Sequence, residues 1–115
     1  MRLSWLNLCR TKMLDLSVLS RLPLSYLDLR GTRTADLRPL ATVPLASLDI
    51  RFTRIEDVSS LGRMPLENLA FHPNRVREGL RVLEDMRTLK TINRQPAAEF
   101  WGRYSATRKQ GYSAP

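Results

Sequence analysis

Cys9 and His72 are the single cysteine and the single histidine of a 115-residue chain. Side by side, a thiolate and an imidazole would make a nucleophile and its base. One of each is too few for a structural zinc site. No G-x-G-x-x-G or G-x-x-x-x-G-K run is present to cradle a phosphate. Carboxylates offer a second chemistry, since Asp15, Asp36 and Asp57 recur at a spacing of 21. They could act as catalytic acids. An aspartate just ahead of a short helical turn is more simply read as its N-cap, worth about 1 kcal/mol. Cations recur too: Lys12, Arg33, Arg54 and Arg75 are again 21 apart and would form a basic ridge. An aligned basic stripe is the footprint of a nucleic-acid or phosphate binder, although a solvated ridge is its commoner meaning.

That shared spacing comes from a repeat. PLSYLDLRGTRTADLRPLATV, residues 23–43, is followed at once by PLASLDIRFTRIEDVSSLGRM, residues 44–64, and nine of the 21 positions are identical. The frame extends upstream through residues 2–22 and downstream through 65–86, with one extra residue, to a partial fifth start at Leu89. A fixed short period implies stacked units. Apolar columns align as Leu6, Leu27, Leu48 and Leu69, and as Leu8, Leu29, Ile50 and Phe71. Alternation at L-x-L predicts a strand with one buried face. The later pair, such as Leu37 and Leu40, has a spacing of three and predicts one short helical turn. Stacking would merge the columns, with Thr34 their polar entry, into a continuous core. Each buried leucine contributes about 1.5–3 kcal/mol.

Three other columns have structural readings. Thr11, Thr32, Thr53 and Asn74 stand where the chain leaves the strand, and a side-chain oxygen there could satisfy buried turn amides. The aspartate column caps the helical turn. Pro23, Pro44 and Pro65 end one unit and start the next strand, where a missing N–H is tolerated.

The pattern L-x-x-L-x-L-x-x-T/N-x-φ over residues 2 to about 93, with "DLxPL" and "PLxxLDL", resembles the short bacterial leucine-rich repeat. The segment LEDMRTLKTINRQPAAEFWGRY, residues 83–104, is similar to the closing segment of such regions in planctomycete-type proteins, some with a Ser/Thr kinase domain upstream. Arg94 stands where that resemblance leads one to expect Gly. No Gly-rich loop, H-R-D or D-F-G is present, so kinase activity does not carry over. The resemblance implies an α/β solenoid: a right-handed coil with a parallel concave sheet, short helical or 3₁₀ turns on the convex side and a C-terminal helical cap. The expected domain is residues 1–105, with repeats at about 2–22, 23–43, 44–64 and 65–86, and a partial repeat and cap at 87–105.

The two ends differ. Val76, Leu80, Leu83 and Met86 predict a longer helix in the fourth unit. Pro96 suits a helix first turn. Ala97, Phe100, Trp101 and Tyr104 then form an i, i+3, i+4, i+7 stripe that would cover the end of the core; an aromatic ligand box is its rival reading. Residues 106–115 lack periodicity and are expected to be a mobile tail. At the other end Leu3 starts a strand with no cap before it, leaving an edge liable to pair. The expectation is the C-terminal part of a longer array or, if complete, self-association through that end.

The strand residues between the leucines would face outward on the concave sheet: Trp5, Tyr26, Ser47 and Asn68; Asn7, Asp28, Asp49 and Ala70; Cys9, Arg30, Arg51 and His72. Trp5 and Tyr26 make an aromatic pair that no core needs. Asp28, Asp49, Arg30 and Arg51 make either a self-satisfied checkerboard, with diagonal Asp–Arg contacts, or a recognition surface. The partner-binding candidates are therefore Trp5, Asn7, Tyr26, Asp28, Arg30, Asp49, Arg51 and His72. Cys9 and His72 would sit three strands apart, about 14 Å, which excludes a dyad.

The expected function is a non-catalytic protein-binding module without cofactor or metal, whose partner is another protein or a parent-chain domain. The alternatives are anion or nucleic-acid binding on the ridge, and a purely structural repeat fragment. The +8 formal charge favours acidic partners. No apolar run approaches the ~20 residues of a membrane span. One cysteine suits a reducing compartment, so the expected location is the cytoplasm.

Overall fold

A computed structural model describes residues 5–10 and 16–111, with the side chains of Val18 and of 105–111 outside the description. Six short strands form one sheet in chain order: β1 (Trp5–Asn7), β2 (Tyr26–Asp28), β3 (Ser47–Asp49), β4 (Asn68–Ala70), β5 (Thr91–Ile92) and β6 (Gln95–Pro96). The first five run parallel, and β6 turns back antiparallel to β5. Register follows the sequence period: Leu6 pairs with Leu27, Leu27 with Leu48, Leu48 with Leu69 and Leu69 with Ile92. The ladder continues past the strand ends at equivalent places, with Leu8, Leu29 and Ile50 donating N–H bonds of 2.8–2.9 Å to Asp28, Asp49 and Ala70.

Each of the first three units then turns through a single 3₁₀ segment: Ser17–Leu19, Arg38–Leu40 and Ser59–Arg63. The closing bonds repeat as well, from Leu19, Leu40 and Leu61 N–H to the carbonyls of Leu16, Leu37 and Val58. The interior between sheet and turns is filled by aligned apolar residues, among them Leu24, Leu27, Leu40, Leu45, Leu61 and Leu66, all at 0% exposure. Among the described residues no helix is long and apolar enough to cross a membrane.

The polar columns differ in detail from their expected roles. Thr32 and Thr53 donate their hydroxyls to the strand-end carbonyls of Leu29 and Ile50, at 2.8 and 2.7 Å, rather than chiefly accepting from turn amides. The Thr32 and Thr34 hydroxyls also share a hydrogen bond at 3.0 Å, in which Thr32 accepts because its one proton goes to Leu29, and Thr53 accepts only a long 3.4 Å bond from Ile55. Asn74 is exposed within the 3₁₀ segment Pro73–Arg75 and leaves the column. Asp36 and Asp57 accept the Arg38 and Ser59 N–H groups at 2.9 Å, from one residue outside the N-caps Leu37 and Val58. The Arg38 side chain, then its amide, hold the Asp36 carboxyl below its ordinary pKa; the Ser59 hydroxyl and amide do the same for Asp57. Thr11 and Asp15 lie outside the described residues.

A further column is conformational. Arg10, Gly31 and Phe52, one per unit, have φ of 63°, 72° and 61°. Each of the first three strands therefore exits through a left-handed residue, although only one is a glycine. The equivalent fourth position is Pro73, whose ring forbids positive φ, and there the chain makes the 3₁₀ segment instead.

The fourth unit corrects two more expectations. Its helix, α1, spans Leu80–Glu84 rather than starting at Val76, no longer than the 3₁₀ segment Ser59–Arg63 before it. Gly79 causes the delay: φ is +93°, and a Cβ there would lie 2.4 Å from the Ser59 amide nitrogen. Pro96 is the last residue of β6, and helix α2 spans Ala97–Gly111. The helix thus continues through 106–111, the first part of the expected tail. The aromatic stripe closes the core end, with Phe100 buried 5.9 Å from Phe71, and Ala97, Trp101 and Tyr104 half-buried against the core.

Strands β5 and β6 are joined by Asn93 and Arg94, with φ of 52° and 68°. Two left-handed residues in a two-residue hairpin fit a type I′ turn, which favours Asn-Gly. The Asn93 carboxamide accepts the Phe71 N–H at 2.8 Å, tying the turn to the end of β4. Arg94 instead bears the steric cost of a Cβ. Arg94→Gly is expected to raise stability by about 0.5–1 kcal/mol, read as a higher urea midpoint; a lower midpoint would refute this account of the turn.

Candidate binding surface on the sheet

The residues between the core leucines form three rows across the outer face. In the first row Trp5 and Tyr26 stack at 5.1 Å and 11°, with Trp5 55% exposed. Parallel register places their Cα atoms directly opposite, so stacking follows from residue type. Burial first, then the Asp28 and Asp49 charges, push the Tyr26 hydroxyl above its ordinary pKa. Beyond Tyr26 the row turns polar: Thr91 donates to the Asn68 Oδ1 at 2.6 Å, and the Asn68 amide donates to the Ser47 Oγ at 3.2 Å.

The second row does structural work. Asn7, Asp28 and Asp49 each accept the N–H two residues on, from Cys9, Arg30 and Arg51, at 2.8–3.1 Å. Each side chain thus ties off the strand end, a local bond that Asn and Asp make readily. Ala70 makes no such bond, and the Asn93 carboxamide serves the next amide instead.

The third row supplies the counter-charges. Arg30 grips Asp28 through Nε and Nη2, at 2.9–3.2 Å, and also meets Asp49 at 3.4 Å. Arg51 grips Asp49 at 2.8 Å. The hydrogen bonds to Asp28 and to Asp49 are the main cause that raises the pKa of each arginine. The pairing is mainly along the strand, between residues two apart, and one diagonal contact joins neighbours. Asp28 is only 1% exposed. It is therefore corrected from a surface candidate to a buried brace under Arg30.

Between these rows lies an open groove of ≈ 680 Å³ whose walls include Tyr26, Arg30, Ser47, Arg51, His72 and Arg94. His72 Nε2 is shielded from solvent and has no hydrogen-bond partner among the described residues. Cys9 and His72 follow β1 and β4, the first and fourth strands of the sheet, and are not brought together. Among the described residues no group of three His, Cys, Asp or Glu side chains could hold a metal ion.

Of the basic ridge, Arg33, Arg54 and Arg75 are exposed, and Lys12 lies outside the described residues. Among the described residues the three arginines join no ion pair. Arg77 beside them pairs with Glu56 at 3.6 Å.

Three residues of interest escaped the sequence reading. Phe52 is 60% exposed and meets His72 edge-on at 4.7 Å. Its signal was its position, aligned with Gly31 in the repeat. Thr91 and Asn93 belong to the degraded fifth unit, where T-I-N stands in for the usual x-L-x.

Comparison with known proteins is negative: no family model matches the chain, and no curated protein aligns with it.

The brace makes a distinction testable. Asp28→Ala removes a buried acceptor of both a turn amide and a guanidinium, and is expected to cost about 1–3 kcal/mol. Asn7→Ala removes the same turn bond at an exposed site and should cost less. Urea unfolding of both variants checks the order; equal losses would contradict the buried role of Asp28.

Proposed function

We propose that the chain is a non-catalytic leucine-rich repeat segment, a right-handed solenoid that binds another protein or a domain of its own parent chain. The binding face is the outer sheet surface, on its concave side. Repeated units of 21 residues stacked in parallel register support the repeat assignment. The observation that carries the binding reading is the stacked Trp5–Tyr26 pair, exposed at Trp5 and half-buried at Tyr26, beside the polar groove. Large aromatics left at a surface next to arginines are the residue types that dominate binding energy at interfaces. The core does not require them there, because the leucines beneath already fill it.

Arg33, Arg54 and Arg75 support a second reading, anion or nucleic-acid binding along the ridge, because they are exposed cations without counter-charges among the described residues. The two differ in salt dependence, since phosphate-backbone binding weakens steeply as salt rises.

Affinity capture from a lysate of the source organism separates them. The expected result is a protein retained at high salt, lost with Tyr26→Ala/Arg51→Ala and kept with Arg33→Glu/Arg54→Glu/Arg75→Glu. Retention that vanishes with salt and with the ridge variant, while ignoring the sheet variant, would overturn the first reading.

A further inference from the structure

We propose that the groove takes an extended peptide segment bearing an aromatic side chain and, about three residues away, a carboxylate. This rests on the sheet-face reading above and names its partner's chemistry.

The aromatic subsite follows from an interrupted stack. Tyr26 presents one ring face to Trp5 on β1, so its other face looks toward β3. There the register partner is Ser47, which is too small to cover it. The next residue along the row is Asn68, held in place by Ser47 and Thr91. Tyr26 and Asn68 are separated by two strand spacings, about 10 Å. One ring fits between them over Ser47, in contact with the tyrosine face on one side and the amide on the other. Such a ring would continue a stack already begun, in an offset geometry that aromatic pairs favour. Ser47 Oγ accepts from Asn68, and its own proton is available to a peptide carbonyl.

The acidic subsite follows from charge. Within the groove Arg30 and Arg51 are matched by Asp28 and Asp49. Arg94, also on the groove wall, joins no ion pair among the described residues. Its guanidinium is therefore the unmatched charge, and a planar fork of donors suits a carboxylate. His72 lies on the same wall. Across the sheet, from the slot on β3 to β5, whose end carries the turn with Arg94, is again two strand spacings, about 10 Å. An extended chain covers that in about three residues at ~3.3 Å each.

Selection of a phage-displayed random dodecapeptide library on the full chain tests this. The enriched peptides should carry an aromatic residue and an Asp or Glu two to four positions away. Synthetic copies should lose at least tenfold in affinity toward Ser47→Phe, which fills the slot from within while completing the aromatic row. Unfolding of that variant should show its stability retained. Arg94→Gly, which favours the hairpin, should weaken binding several-fold and abolish the preference for the acid. Arg33→Glu/Arg54→Glu should leave binding unchanged. Enrichment of no peptide, or of peptides lacking the aromatic–acid pair, overturns the proposal. So does equal binding to a folded Ser47→Phe. None of these results touches the sheet-face reading, which fails only if the captured protein ignores Tyr26→Ala/Arg51→Ala.

Discussion

Each strand pairs with the next by a shift of one repeat, so Leu27 lies between Leu6 and Leu48, and Asp28 between Asn7 and Asp49. This register places like residues on like. For leucines that is an advantage, because identical shapes stack into one continuous interior. For charges it is a difficulty, because Asp28 and Asp49 face each other across a strand spacing of about 4.8 Å. The chain resolves it locally. Each aspartate accepts a turn amide and grips the arginine two residues on. The two units that carry an aspartate here therefore also carry its neutralising arginine, and the first and fourth, with Asn7 and Ala70, place no charge in the row.

Much of this was legible because the sequence repeats. The leucine columns, the strand at L-x-L, the short turn and the aromatic closing stripe all follow from spacing and residue type. Conformation without a residue signature was not legible. Arg10 and Phe52 adopt the left-handed φ of Gly31, yet no rule of composition marks an arginine or a phenylalanine for it. The delayed start of α1 was hidden for a related reason. The apolar spacing from Val76 is helical, but the close approach of Gly79 to Ser59 overrides it. The candidate surface was legible in membership and less so in role. Tyr26, Arg51 and His72 line the groove, whereas Asp28 is spent beneath Arg30. That distinction depends on side-chain reach across two residues, which spacing alone does not resolve.

The array ends by breaking its own rules. Pro73 cannot take the left-handed exit, Asn93 and Arg94 reverse the chain, and α2 lays Phe100 against Phe71. The same departures shape the groove, because His72 precedes that proline and Arg94 lies in that reversal. A surface made only of perfect repeats would be uniform along the sheet. Here Trp5 and Tyr26 stand at one end of the outer row and Asn68 and Thr91 at the other, so the face has a direction.

The central claim is that equivalent positions one period apart are interchangeable in the stack. Excising residues 44–64, one whole period of 21, joins Val43 to Pro65 and brings Leu27 against Leu69. Urea unfolding followed by circular dichroism should show a less stable but still cooperative transition for that variant. Excising residues 44–54 instead, about half a period, should abolish the transition. If the whole-period excision unfolds the chain as completely as the half-period one, register stacking does not hold this protein together.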